Sequence, residues 1–254
     1  MMKLQLFRRS EIKREELTAT SIIEQYPMLI TLPEILVKDF EYEIKEADVS
    51  RTDRKAQWEK AAGFIVRHGF AMQTHTNGIG QVFKAFNTVS MPDIESLSID
   101  EVGYLALCLL PHILQPRIVQ GKEGKRDRFS ATTALGQLIQ FAKAGSSMFA
   151  ALETLKKEKG VTHPCLLAFT QTGVMGGKLS DLFVIVYAVP IFFPDATVSV
   201  SVETLFASFF AFNLSYPPSL YGVYSLLEML YNVPPTIKSN SAVADLYSRI
   251  NSAV

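Results

Sequence analysis

The stretch ETLFASFFAFNLSYPPSLYGVYSLLEMLY, residues 203–231, constrains this chain more than any other feature. It places Phe206, Phe209, Phe210, Phe212, Tyr216, Tyr221, Tyr224 and Tyr231 close together, with a single break at Pro217 and Pro218. A helix lying on a protein surface keeps its apolar residues in one stripe. Here the rings fall on too many faces for that. The segment is therefore the main core, or a core plus an exposed patch that meets another chain.

The charge distribution agrees. Residues 161–254 hold Lys178, Lys238 and Arg249 against Asp181, Asp195, Glu203, Glu228 and Asp245, so the C-terminal third is the apolar part of the molecule. Over the whole chain 25 basic residues balance 25 acidic ones, and 48% of residues are apolar. Such a composition can offset the entropy of ordering the chain. It supplies no global field that would steer nucleic acid or an acidic substrate. Cys108 and Cys165 both sit in apolar runs and read as buried thiols, not a disulfide scaffold. The start, MMKLQLFRRSEIKREE, puts charge where a signal peptide needs apolar residues. The longest tempting apolar run, Leu182 to Phe193, is too short to span a bilayer as a helix. An intracellular protein, cytoplasmic or nuclear, is expected. The sequon Asn213-Leu214-Ser215 is then coincidental.

Periodicity predicts mostly α structure: a multi-helix globular domain with room for a few short buried strands. Helices are expected over Ser10–Glu24, Pro33–Phe40, 53–67, from Ser98 to Pro111, Ser130–Ala144, Ser147–Lys159, Val198–Asn213, Ser219–Tyr231 and Ser239–Ile250. The start at Ser98 is the clearest, because Glu101 three residues on completes a capping box. Ser130–Ala144 and Ser147–Lys159 read as a helix pair turning at Gly145. Asn77, Gly78 and Gly80 mark a turn or loop, followed by a strand or short helix at Val82 to Phe86. Residues 165–171 and 182–193 are ambiguous between buried strand and buried helix. The polar stretch PRIVQGKEGKRDRF reads as a loop. The chain accordingly divides into an N-terminal helical half, 1–116, a polar basic loop, 117–129, and an apolar helical half, 130–254, folding as one cooperative unit.

No catalytic or metal-binding constellation stands out. His68, His75, His112 and His163 form no HExxH and pair with no Cys or Asp at metal-ligand spacing. The glycine-rich GVMGGKLS, residues 173–180, lacks the spacing of a phosphate loop, with Thr172 at the place of the first glycine and Leu179 after Lys178. A glycine turn is the reading. Asp93 with Glu95 and Asp100 with Glu101 lie at helix starts, where acidic groups stabilise exposed amides. No cofactor is expected. Arg117, Lys122, Lys125, Arg126 and Arg128 are candidate phosphate contacts for RNA or DNA. Glu123 and Asp127 reduce their excess, and no aromatic residues alternate with them as a stacking platform.

PCLLAFTQTG, SDLFVIVYAVPIFFP and VETLFASFFAFNLSYPPSLYGVYSLLEMLYNV, in that order, resemble the C-terminal region of a poorly characterised group of animal proteins. That group includes sterile alpha motif domain-containing and transposon-associated members. Phe206, Phe210, Asn213, Tyr216 and Pro217 match its F-x-x-x-F-x-x-F-N-x-x-Y-P block in comparable order, and Tyr26 with Pro27 looks like its upstream Y-P-x-L element. No sterile alpha motif is evident in the chain. The resemblance implies a noncatalytic domain dedicated to interactions.

The expected function is thus a structural or protein-interaction domain, self-associating or partner-binding through Phe206, Phe209, Phe210, Phe212, Tyr216, Tyr221 and Tyr224. The competing expectation is a nucleic-acid-associated protein, nucleocapsid-like or matrix-like, that uses the basic loop 117–128.

Overall fold

Ser98 does start a helix. Its hydroxyl accepts from the Glu101 amide at 3.3 Å while Glu101 Oε2 accepts from the Ser98 amide at 2.9 Å. The computed structural model describes residue 8 and residues 10–12, 17–44, 51–116, 118–120, 126–158, 163–193 and 197–253. In chain order it has α1 (Ala19–Gln25), α2 (Met28–Thr31), α3 (Pro33–Glu43), α4 (Arg51–Met72), α5 (Asn77–Ala85), α6 (Met91–Glu95) and α7 (Ile99–Ile113). The strands β1 (Ile118–Gln120) and β2 (Arg126–Arg128) follow, then α8 (Ala131–Leu138), β3 (Ile139–Lys143) and α9 (Met148–Glu158). The chain continues through β4 (Cys165–Thr170), β5 (Leu179–Val186), β6 (Val189–Ile191), α10 (Val198–Ala211), a 3-10 turn (Pro218–Leu220), α11 (Tyr221–Leu230) and α12 (Ser241–Ser252). It is a mostly helical domain with a small open four-stranded sheet.

α7 is buried along nearly its whole length, from Gly103 to Pro111. It lies against α4, and α10 crosses both while making its most extensive contact with α3. One core cluster runs from Ile12 to Ile250 and takes residues from both halves of the chain. Asp100 at the start of α7 ties the two halves directly, its Oδ1 accepting from the Val198 amide at 2.9 Å and capping α10.

The sheet has the order β3-β4-β5-β6. β3 and β4 are parallel, with α9 in the crossover, and the other pairs are antiparallel. Every residue of β4 is buried, which explains why CLLAFT shows no alternation of apolar and polar residues. Leu166 and Ala168 face the main core, and Cys165, Leu167 and Phe169 face a smaller one with Leu155 of α9 and Ile185. The ambiguity over 165–171 and 182–193 is thereby resolved as strand.

Four expectations are corrected. Ser10–Glu24 is not one helix: residues 17 and 18 lie outside any helix, Thr18 is extended, and its hydroxyl caps a new start at Ala19. Asn77, Gly78 and Gly80 lie inside α5, because Ile79, Val82 and Phe83 share one buried face that outweighs the glycines' weak propensity. The pattern over Ser130–Ala144 changes period at Ile139, where the chain leaves α8 for β3, so no helix pair forms there. The polar stretch after Pro116 carries a short antiparallel hairpin, pairing Ile118 with Arg128 and Gln120 with Arg126.

Candidate functional site

Two helix ends and the loops behind them build a concavity lined by the C-terminal aromatic residues. α10 closes with Asn213 in the left-handed region, φ 50°; the Asn213 amide donates to Phe210 O at 3.1 Å and the Leu214 amide to Phe209 O at 2.8 Å. α11 ends the same way at Asn232, φ 52°, whose amide donates to Met229 O while the Val233 amide donates to Glu228 O. Both are Schellman closures with asparagine in place of the usual glycine. The triplet Asn213-Leu214-Ser215 therefore has a structural explanation of its own. These two ends and Ile44, the C-cap of α3, enclose a cleft of about 560 Å³, within the range of small-ligand and side-chain pockets.

The wall is aromatic and aliphatic. Phe209, Phe210, Tyr216 and Tyr221 line it with Ile44, Leu214, Val233, Pro234 and Ile237, and Asn213, Ser215 and Thr236 add polar groups. The rings continue inward as a stack. Tyr216 and Tyr224 lie face to face at 4.5 Å with 6° between planes, Phe209 meets Tyr224 edge-on at 4.7 Å, and Phe206 contacts Phe40, Phe210 and Tyr231 at 5.2–5.5 Å. Phe206, Phe209, Phe212, Tyr216, Tyr224 and Tyr231 are buried within the chain, whereas Phe210 and Tyr221 are only partly buried. Of the aromatic residues singled out from the sequence, Phe209, Phe210, Tyr216 and Tyr221 line the cleft, and Phe210 and Tyr221 are the more exposed of the four.

Behind the wall sits a carboxyl that local sequence reasoning passed over. Glu228 is 1% exposed. Its Oε1 accepts from the Thr236 amide at 3.1 Å and from the Thr236 hydroxyl, but Oε2 has no hydrogen-bond partner. Tyr216 lines the cleft with its hydroxyl also unpartnered; the two groups lie close enough to perturb each other without the geometry of a bond. Burial pushes the Glu228 carboxyl above its ordinary range, against the opposing pull of Thr236 and Tyr216. Burial, then the Glu228 charge, raises the Tyr216 phenol. The sequence signal that could have marked Glu228 is a lone carboxylate in an otherwise apolar helix, YGVYSLLEMLY.

The remaining candidates do not converge on one place. Arg117, Lys122 and Lys125 lie outside the described residues; Arg126 and Arg128 are on β2, and Arg128 is exposed. His68 stacks on Phe64, His163 Nε2 donates to Gln137 O at 3.0 Å, His112 packs against Gly78, and His75 lies beyond the end of α4. Cys108 and Cys165 are buried free thiols, and burial raises the Cys108 thiol far above its ordinary range. Asp93 and Glu101 are held below the usual carboxylate range by bonds from Ser90 and Ser98, as capping residues should be. In the glycine-rich segment, a Cβ on Gly176, φ 83°, would fall 2.1 Å from Ala85 O. The segment thus closes against α5 in a way only glycine permits. Among the described residues no group of three or more His, Cys, Asp or Glu could hold a metal ion, and no helix is long and apolar enough to cross a membrane.

Comparison with protein-family models, curated proteins and solved structures finds no match for this chain.

Proposed function

We propose that the chain is a noncatalytic protein-interaction domain whose recognition site is the aromatic cleft at the C-terminal ends of α3, α10 and α11. The observation that carries this reading is the position of Phe210 and Tyr221. They are the members of the C-terminal aromatic group left partly uncovered, and both line the cleft. Interface energy concentrates in aromatic anchors set in partly formed pockets. The buried remainder of the cluster holds those two rings in place from behind, so that little side-chain entropy is lost when a partner docks.

The test is photocrosslinking in cells, with benzoylphenylalanine replacing Tyr221, and replacing the exposed Phe149 on α9 as a control. The expected result is a discrete adduct from position 221 that is absent at 149 and lost when Phe210→Asp is added. Light scattering on the purified protein then shows whether the adduct is a second copy of the chain. Absence of any adduct specific to position 221 would sink the reading.

A further inference from the structure

The cleft is electrostatically one-sided. α3 reaches it with its C-cap, Ile44, and α10 and α11 reach it with the closures at Asn213 and Asn232. A helix C-terminus carries the equivalent of about half a negative charge. Here three such ends of helices ten or more residues long converge on one cavity, whereas α11 alone also brings an N-terminus, at Tyr221. The Schellman bonds satisfy individual carbonyls but leave the peptide dipoles aligned. Behind the wall lies Glu228, with Oε2 unpartnered, and the unpartnered Tyr216 hydroxyl stands between it and the cavity. Among the described residues the lining contains no basic residue; Lys238, exposed beside Ile237, is adjacent to it in sequence but not part of it.

A cavity bounded by aromatic faces, helix C-termini and a buried acid favours a positive group. Ring faces are negative at their centres and attract ammonium cations most strongly where water is excluded. An apolar stem of several methylenes can lie along Leu214, Pro234 and Ile237 while the charged head goes inward. Resting on the interaction reading above, we infer that the cleft recognises an alkylammonium group on an apolar stem, supplied by a lysine side chain of the partner. The head meets Phe210 and Tyr221 and donates to the Tyr216 hydroxyl oxygen, which has no hydrogen-bond partner of its own among the described residues.

The test uses the full chain with labelled isoleucine, leucine and valine methyls, following Ile44, Leu214, Val233 and Ile237 by NMR. The probes are n-butylammonium chloride, which reproduces the lysine side chain, and 1-butanol, its neutral isostere, with sodium chloride matching ionic strength. The ammonium is expected to shift these methyls at least about fivefold more tightly than the alcohol, the size of a partly desolvated cation–π contact. Glu228→Gln is expected to bring the two probes close to parity. N-acetyl-lysine-N-methylamide should bind at least as tightly as butylammonium. Equal binding of alcohol and ammonium would overturn the cation inference and leave an apolar docking site, because the photocrosslink does not depend on charge. Failure of butylammonium to move these methyls would overturn it too, and weaker binding of the lysine amide would overturn its assignment to a partner's side chain. If Glu228→Gln does not fold, the comparison of probes on the unaltered chain still decides.

Discussion

Arg54 is 1% exposed, yet it carries a full charge in the centre of the helical layer. Its Nε donates to Glu203 Oε1 at 2.7 Å, its Nη2 to Glu41 Oε1 at 2.6 Å, and its guanidinium lies 5.5 Å from the Phe40 ring centroid. Burial opposes the charge, but the bonds to Glu41 and Glu203 more than offset it, so the guanidinium is held more firmly protonated than in water. Removing one member of such a group strands another in a dry site. Arg54→Met should therefore lower stability by about 3–5 kcal/mol, read as a shift in the urea midpoint at constant slope. Adding Glu203→Leu should recover part of the loss, because a buried carboxylate that has lost the guanidinium is gone; no recovery would mean that losing the guanidinium costs Glu203 little. None of this is legible locally. Arg54 falls in a stretch correctly expected to be helical, but its partner is 149 residues away, and a single sequence pairs distant charges only through a fold it does not display. Glu228 was hidden for the same reason: its ligand Thr236 comes from the loop beyond the end of α11.

At the scale of elements, the features that could be read were those in which neighbours in sequence are also neighbours in space. The capping box at Ser98 is of that kind, and so are the proline-marked start of α3 and the amphipathic α12. The ones that failed depended on burial. α5 was masked by its glycines until Ile79, Val82 and Phe83 had a surface to pack on, and β3 was masked because α8 runs into it with no turn residue between. The β5–β6 hairpin is a third case. It closes with two residues, Tyr187 and Ala188, at φ 51° and 62°. That is the type I′ geometry suited to the twist of paired strands, ordinarily occupied by asparagine and glycine. Each residue with a Cβ in the left-handed region costs roughly 1 kcal/mol. The double substitution Tyr187→Asn with Ala188→Gly should raise stability by about 1–2 kcal/mol, less whatever packing the half-buried Tyr187 contributes, and should leave the methyl spectrum of the cleft unchanged. A destabilised hairpin would show that the Tyr187 ring, packed at the edge of the core, contributes more than its backbone costs.

For the whole molecule, the same burial that hides the core sets the response to pH. His68, His112 and His163 are all held below the ordinary histidine value, in each case chiefly by burial, with Arg249 adding to the effect at His68 and the Gln137 carbonyl opposing it at His163. Their folded pKa values lie below the unfolded value of about 6.5, so between the two the unfolded chain binds more protons than the native one. The stability these groups contribute is present above about pH 6.5 and is lost as pH falls through the folded values. Glu228 acts in the opposite sense. Its folded pKa is raised, so its contribution is complete below the unfolded value and is lost as pH rises through the folded one. Where the two effects overlap, three imidazoles act against one carboxyl. The urea midpoint should therefore fall on acidification from pH 7.5, with each histidine contributing at most about 1.4 kcal/mol per pH unit. His112→Gln, which cannot charge, should flatten that fall. Glu228→Gln should instead stabilise the protein at alkaline pH relative to the unaltered chain, since its amide can donate to the Tyr216 oxygen where Oε2 now has no partner. A midpoint that does not move between pH 7.5 and 5.5 would show that these imidazoles reach water in the native state, and the packing that keeps them neutral would then be looser than the buried cluster from Ile12 to Ile250 requires.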